Sequence, residues 1–172
     1  DYIAKYTGKV KDDVAKFYGM IGNIDDNVGR LLDQLEAWNL SRETLVIFLT
    51  DNGSAHGAQV HNAGMRAAKG TPYEGGTRVP LFLRWPGMIE PGERSQLVCH
   101  YDLFPTLVDW LELPATDELR RQLEGRSLRP LITDATAAWP SRDVVTHVGR
   151  WERGTDPRAT PAIGQYVRCS LR

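Results

Sequence analysis

Thr50-Asp51-Asn52-Gly53 places a carboxylate and a primary amide side by side, directly after the apolar run Leu45-Val46-Ile47-Phe48-Leu49. Such a run reads as a buried strand, and in open α/β sheets ligands bind just beyond the carboxyl ends of strands. Carboxylate and amide oxygens are hard donors suited to calcium or magnesium. Asp, Asn and Gly are also the commonest turn formers, so the tetrapeptide alone leaves a pair of metal ligands and a plain turn both open. A second candidate is Lys69, inside Ala67-Ala68-Lys69-Gly70-Thr71-Pro72-Tyr73-Glu74-Gly75-Gly76-Thr77-Arg78. Held between Gly and Pro, its ammonium can meet an anionic group and offset charge on a leaving oxygen. The alternative is a solvated lysine with Arg78 paired to Glu74 as loop structure. Between Asp51 and Pro80 the cations Arg66, Lys69 and Arg78 outnumber Asp51 and Glu74, so the loop tolerates an anion.

The scaffold for these residues is written in the hydrophobic pattern. Val14, Phe17, Ile21, Ile24, Val28, Leu31, Leu35 and Trp38 recur every three or four positions and predict an amphipathic helix over residues 14–38, entered at Asp12 and Asp13 and left near Asn39. Thr44 to Thr50 is the continuous apolar, β-branched run of a parallel strand covered on both faces. The Gly-rich and polar stretch from Asp51 to Thr77 is long for a loop in a compact domain, and such loops are usually functional or disordered. A strand follows at 79–85, then a helix at 102–111 with Leu103, Leu107, Val108 and Leu111 facing the core, then a short helix at 117–124. Tyr18, Trp38 and Trp110 read as core, and Trp85 as a strand-end packing residue. Trp139 and Trp151 are placed to rim a cleft. Short strands at 144–148 and 166–169 suggest that a smaller subdomain begins past Pro140.

Helix followed by buried strand gives the fold class as α/β, a mainly parallel sheet packed by helices. Residues 1–140 form the principal α/β part and 141–172 the start of a C-terminal subdomain.

Composition narrows the function further. The 172 residues are 41% hydrophobic and 25% charged, as in a globular domain, and the net charge of −1 removes the basic excess of a dedicated nucleic-acid binder. No apolar run approaches the roughly 20 residues needed to span a bilayer. Two cysteines, Cys99 and Cys169, are too few for a disulfide framework or a zinc site, though one disulfide is possible.

Taken together, Asn23 to Leu32, Leu45 to Gly53, Asn62-Ala63-Gly64-Met65-Arg66, Lys69 to Pro80, Trp85-Pro86-Gly87, Asp102 to Leu107 and Gly125-Arg126-Ser127-Leu128 resemble the calcium-dependent sulfatases of the arylsulfatase type, over essentially the whole chain. The resemblance implies part of an alkaline-phosphatase-like sulfatase fold. It implies that Asp51 and Asn52 are calcium ligands and that Lys69 is catalytic and contacts the substrate sulfate. The reaction implied is calcium-assisted hydrolysis of a sulfate ester, aryl or sugar, by a formylglycine nucleophile. A periplasmic or secreted location is implied as well. His56 and His61, in the loop between Asn52 and Lys69, have the chemistry to bind sulfate or act as a general acid, or are plain loop residues.

The departures from the family pattern are specific. Formylglycine arises from Cys or Ser in Cys/Ser-x-Pro-x-Arg, yet neither Cys99-His100-Tyr101 nor Cys169-Ser170-Leu171-Arg172 has that proline. The early Asp-Asp pair and an upstream Lys and His of the family site are also missing; Asp25-Asp26 is no substitute, because neighbours on a helix point about 100° apart. The expectation is a middle-to-C-terminal part of a longer enzyme, inactive alone and folding poorly alone. Alternatives are a related metal-dependent phosphatase or phosphonate hydrolase, or a noncatalytic remnant that binds an anion.

Overall fold

Apolar side chains every three or four residues wind Asp12–Ala37 into one long helix, α1, in the computed structural model, which describes residues 1–148 and 169–172. Asp13 Oδ1 accepts the Val14 N–H at 2.9 Å, a carboxylate at the positive end of the helix dipole. At the far end Asn39 adopts a left-handed φ of 56°, while the N–H groups of Leu40 and Asn39 donate to the carbonyls of Leu35 at 2.8 Å and Glu36 at 2.9 Å. That paired arrangement is a Schellman cap, which closes the helix where the sequence indicated its exit.

The helix stripe is buried only in part. Val14, Ala15 and Leu35 are buried, whereas Ile21, Ile24, Leu31 and Trp38 are exposed, Trp38 by 61%. Trp38 is therefore not a core residue of the described structure. The physical reason lies in what packs on α1: chiefly the 3-10 turns Ile3–Lys5 and Gly57–Gln59. At Gly19 a Cβ would lie 2.9 Å from the Ile3 side chain, so the turn sits tightly on the first half of the helix.

Strand β1 is Val46–Leu49, followed by the short helix α2 at Glu74–Thr77 and strand β2 at Leu81–Arg84. β1 pairs with β2 antiparallel, with Val46 opposite Arg84 and Leu49 opposite Leu81. The expected mainly parallel sheet is not confirmed: among the described residues both ladders are antiparallel. A continuous apolar run signals what covers the faces of a strand and carries nothing about the direction of its neighbour. Coverage is also incomplete, since Leu49 and Phe82 are exposed. The Trp85 indole donates to the Arg42 carbonyl at 2.8 Å and fastens the end of β2, as expected for a strand-end packing residue.

The remaining helices among the described residues are α3 at Leu103–Trp110, α4 at Asp117–Gln122 and α5 at Arg129–Thr133. Thr116 caps α4 by accepting the Leu119 N–H at 3.1 Å. Two last strands, β3 at Val145–His147 and β4 at Cys169–Leu171, pair antiparallel; Trp151 and most of the strand read at 166–169 lie outside the described residues. The chain forms two compact units, Asp1–Trp85 with Asp143–Arg172, and Pro86–Arg142. Among the described residues no disulfide forms.

The second unit is built around Asp102, which is fully buried. Its carboxylate accepts the N–H groups of Cys99 at 2.7 Å and Arg126 at 2.9 Å, and both terminal nitrogens of the Arg142 guanidinium. Burial alone would raise its pKa, but the Arg142 pair and the two N–H groups outweigh that and hold the carboxyl below its ordinary value. Trp110, Leu128 and Leu131 are also buried in this unit, and Thr106 Oγ1 donates to the Asp102 carbonyl at 2.6 Å and accepts the Leu128 N–H at 2.8 Å. On α3 it is Trp110 that is buried, while Leu111, expected in the core, is exposed past the helix end. Trp139 donates to the Leu97 carbonyl at 3.2 Å, with the Arg126 and Arg142 guanidiniums 5.9 and 5.8 Å from its ring centroid. It serves packing within this unit.

Candidate functional site

The first unit carries every candidate site residue. Where β1 ends, Thr50 Oγ1 donates to the Asn52 carbonyl at 3.2 Å, and Asn52 Nδ2 donates to the Gly53 carbonyl at 3.3 Å. These two bonds shape the turn that presents Asp51, exposed, and Asn52, half-buried. The donor side of the Asn52 amide is engaged by the turn, and Oδ1 is the atom a hard cation would use. Ser54 Oγ, two residues on, is buried without a hydrogen-bond partner, which adds a polar atom to the interior of the same turn.

Two backbone bonds then close the Lys69 loop onto this turn, and a third closes the loop on itself. Gly53 N–H donates to the Gly76 carbonyl at 3.0 Å, Lys69 N–H to the Ser54 carbonyl at 3.1 Å, and Gly75 N–H to the Arg66 carbonyl at 2.8 Å. The chains approach so closely that a Cβ on Gly53 would lie 1.8 Å from the Gly75 oxygen, and one on Gly75 2.0 Å from the Ala67 oxygen. Only glycine fits at either place. Asp51-Asn52 and Lys69 are thereby tied together through the main chain, while the Lys69 side chain remains exposed.

The two histidines take different places. His56 Nδ1 lies 3.4 Å from Asp13 Oδ2 on α1, and its ring centroid is 6.2 Å from that of Phe17. His61 is exposed, its N–H donating to the Gly57 carbonyl at 3.0 Å. Neither carries a described bond to the Lys69 loop.

The loop is braced by residues that sequence reading did not assign. Glu74 pairs with Arg172, at 3.8 Å, where the loop-structure alternative had Arg78, and Arg172 also donates to Thr77 Oγ1 at 3.2 Å. Ser170 Oγ donates to the Pro72 carbonyl at 2.5 Å. No local signal announces partners so distant in the chain. The Arg66 guanidinium stacks 3.6 Å over the Tyr73 ring. With Arg172 added, the cations around the loop outnumber Asp51 and Glu74 further, which suits an anionic ligand.

As a metal centre the arrangement is partial. Asp51 and Asn52 have the oxygen chemistry that calcium prefers, but supply two ligands where about six to eight are usual. Among the described residues no three His, Cys, Asp or Glu side chains converge to hold a metal ion. No helix among them is long and apolar enough to cross a membrane.

Comparison with known proteins finds similarity to one family. The family described as Sulfatase matches residues 1–113. The chain is 33% identical over 129 residues to an arylsulfatase of Clostridium perfringens, covering 73% of this chain and 25% of that protein. It is 38% identical over 113 residues to human arylsulfatase A, covering 63% of this chain and 22% of that one. Among solved structures, Ps i-CgsB in complex with k-i-k-neocarrahexaose superposes with a TM-score of 0.69 at 29% identity, over 77% of this chain and 29% of the other. The chain thus spans about a quarter of the length of the proteins it matches.

Proposed function

Because the chain belongs to the sulfatase family, we propose that it is part of a sulfuric ester hydrolase and supplies the calcium-side and sulfate-side ligands of its active site. The observation that carries this is the main-chain tie between the turn that bears Asp51 and Asn52 and the loop that bears Lys69. Asp51 Oδ and Asn52 Oδ1 are the ligands we assign to calcium, and Lys69 Nζ the donor to a sulfate oxygen. Calcium bound there would supply Lewis-acid charge to the sulfate oxygens. Lys69 stabilises negative charge that grows on the sulfate and on the departing oxygen as the S–O bond lengthens. His56 and His61 are the further candidates for contact with the sulfate, His56 only if it leaves Asp13.

The nucleophile is assigned to a formylglycine elsewhere in a longer polypeptide, in keeping with the share of its relatives that this chain spans. The chain alone is therefore expected to be without turnover. Residues 141–172, with the β3–β4 ladder, are read as the beginning of a smaller subdomain. The substrate class is a sulfate ester of a small molecule or sugar; the hexaose bound to the similar Ps i-CgsB supports the sugar. A periplasmic or secreted location follows from the same family reading.

The test is Lys69→Ala in the full-length polypeptide, assayed with a chromogenic aryl sulfate and with the matching phosphate monoester. A fall in kcat/KM of about 100-fold or more on the sulfate is expected, a range set by loss of one charge-stabilising donor. Undiminished sulfate hydrolysis, or a preference for the phosphate ester, would overturn the reading.

A further inference from the structure

Lys69 is flanked by backbone in the left-handed region. Ala63, Gly64, Ala67 and Gly70 all have left-handed φ values, of 49°, 72°, 62° and 85°. Two of these are alanines, and L-residues with a Cβ occupy that region only where the surroundings impose it. Such concentrated strain just ahead of a candidate sulfate ligand needs a restraint, and the hydrogen bonds identify one.

Four consecutive carbonyls, from Met65 to Ala68, are each held by a defined donor. Asn62 Nδ2 donates to Met65 at 2.8 Å and to Ala67 at 2.7 Å. Gly75 N–H takes the Arg66 carbonyl at 2.8 Å, and Thr71 Oγ1 takes that of Ala68 at 2.8 Å. The next group in line, the Lys69 N–H, bonds Ser54. Asn62 supplies two of the four donors from one amide, and one of the carbonyls it holds belongs to the strained Ala67. A primary amide is the shortest side chain able to do this: Asp has the shape without the donors, and Ser has one donor. The Asn62 nitrogen would also lie 2.7 Å from a Cβ on Gly75, so it fills the gap between the segment and α2.

We propose that Asn62 is the positioning residue for Lys69: its amide locks the left-handed turn that aims the lysine at the sulfate. This rests on the reading of Lys69 as the sulfate ligand. Asn62 touches no substrate and acts through the loop alone, so its effect should vanish once Lys69 is gone.

The experiment is a double-mutant cycle in the full-length polypeptide with a chromogenic aryl sulfate. Asn62→Asp, nearly isosteric but without the two donors, is expected to lower kcat about 10- to 100-fold, in the range that misplacing a catalytic group produces. In a Lys69→Ala background the same change should have no further effect, and Ala67→Gly, which relaxes the left-handed turn, should restore part of the loss. If Asn62→Asp leaves kcat unchanged, or if its effect multiplies in full with that of Lys69→Ala, Asn62 is structural and the proposal falls. Should Asn62→Asp fail to fold, Asn62→Ser, with one donor, is put through the same cycle with the same criteria. If Lys69→Ala alone changes nothing, the reading of Lys69 fails first, a result distinct from an active lysine that is insensitive to Asn62.

Discussion

The Gly53 N–H donates to the Gly76 carbonyl at 3.0 Å, joining the turn after β1 to the helix α2 that follows the Lys69 loop. This contact and the bond from the Lys69 N–H to the Ser54 carbonyl join two separate sequence motifs through the main chain. It tolerates no side chain, because a Cβ on Gly53 would meet the Gly75 oxygen at 1.8 Å.

Gly53→Ala should therefore destabilise the fold by about 1–3 kcal/mol through overpacking and separate Asp51-Asn52 from Lys69. The control is Gly29→Ala on exposed α1, where a Cβ meets nothing within 4 Å and replacing glycine in a helix should stabilise by up to about 1 kcal/mol. Thermal melts of the two variants should move in opposite directions; a shared direction contradicts the close-approach argument.

Asp51→Ala in the full-length polypeptide is expected to weaken calcium binding and sulfate hydrolysis together. Titration of calcium into metal-stripped enzyme, followed by activity, measures both. Calcium dependence identical to that of the parent enzyme would remove Asp51 from the ligand set.

Asp102→Ala would leave the Arg142 guanidinium buried and unpaired and orphan the N–H groups of Cys99 and Arg126. Breaking a buried pair from one side costs about 3–5 kcal/mol. Chemical denaturation followed by tryptophan fluorescence reads the loss. A change below about 1 kcal/mol would mean that the pair contributes little.

The same carboxylate sets a pH dependence. Because the folded pKa of Asp102 lies below its ordinary value of 3.8, its contribution is present above about pH 4 and is lost as pH falls through the folded pKa. Melting temperature should drop on acidification below about pH 4 by more in the parent than in Asp102→Asn, which cannot titrate there. Equal slopes would assign the acid sensitivity to other carboxylates.

The exposed stripe of α1 predicts behaviour of the 172-residue chain by itself. Leu31 is 52% exposed and Trp38 61%, with Ile21 and Ile24 on the same helical face. A contiguous apolar surface of this kind drives association. Sedimentation should show self-association that Leu31→Lys and Trp38→Lys reduce. A monomer with a cooperative melt would refute this and the expectation of poor autonomous folding.

Local chemistry was legible in the residues themselves. The span of α1, its acidic entry and its exit at Asn39 follow from periodicity and capping, which act over a few residues and need no partner. The turn after β1, the Lys69 loop and the family likeness followed from short motifs in fixed order, since each is built by its own residues. Tertiary structure alone decided the rest. The direction in which β1 and β2 pair, the partnership of Glu74 with Arg172, the burial of Asp102 against Arg142, and the Asn62 amide that braces the turn before Lys69 all depend on where the backbone brings groups together. The apolar stripe of α1 makes the same point, because periodicity states which side chains share a face, and only the packed chain states how much of that face is covered.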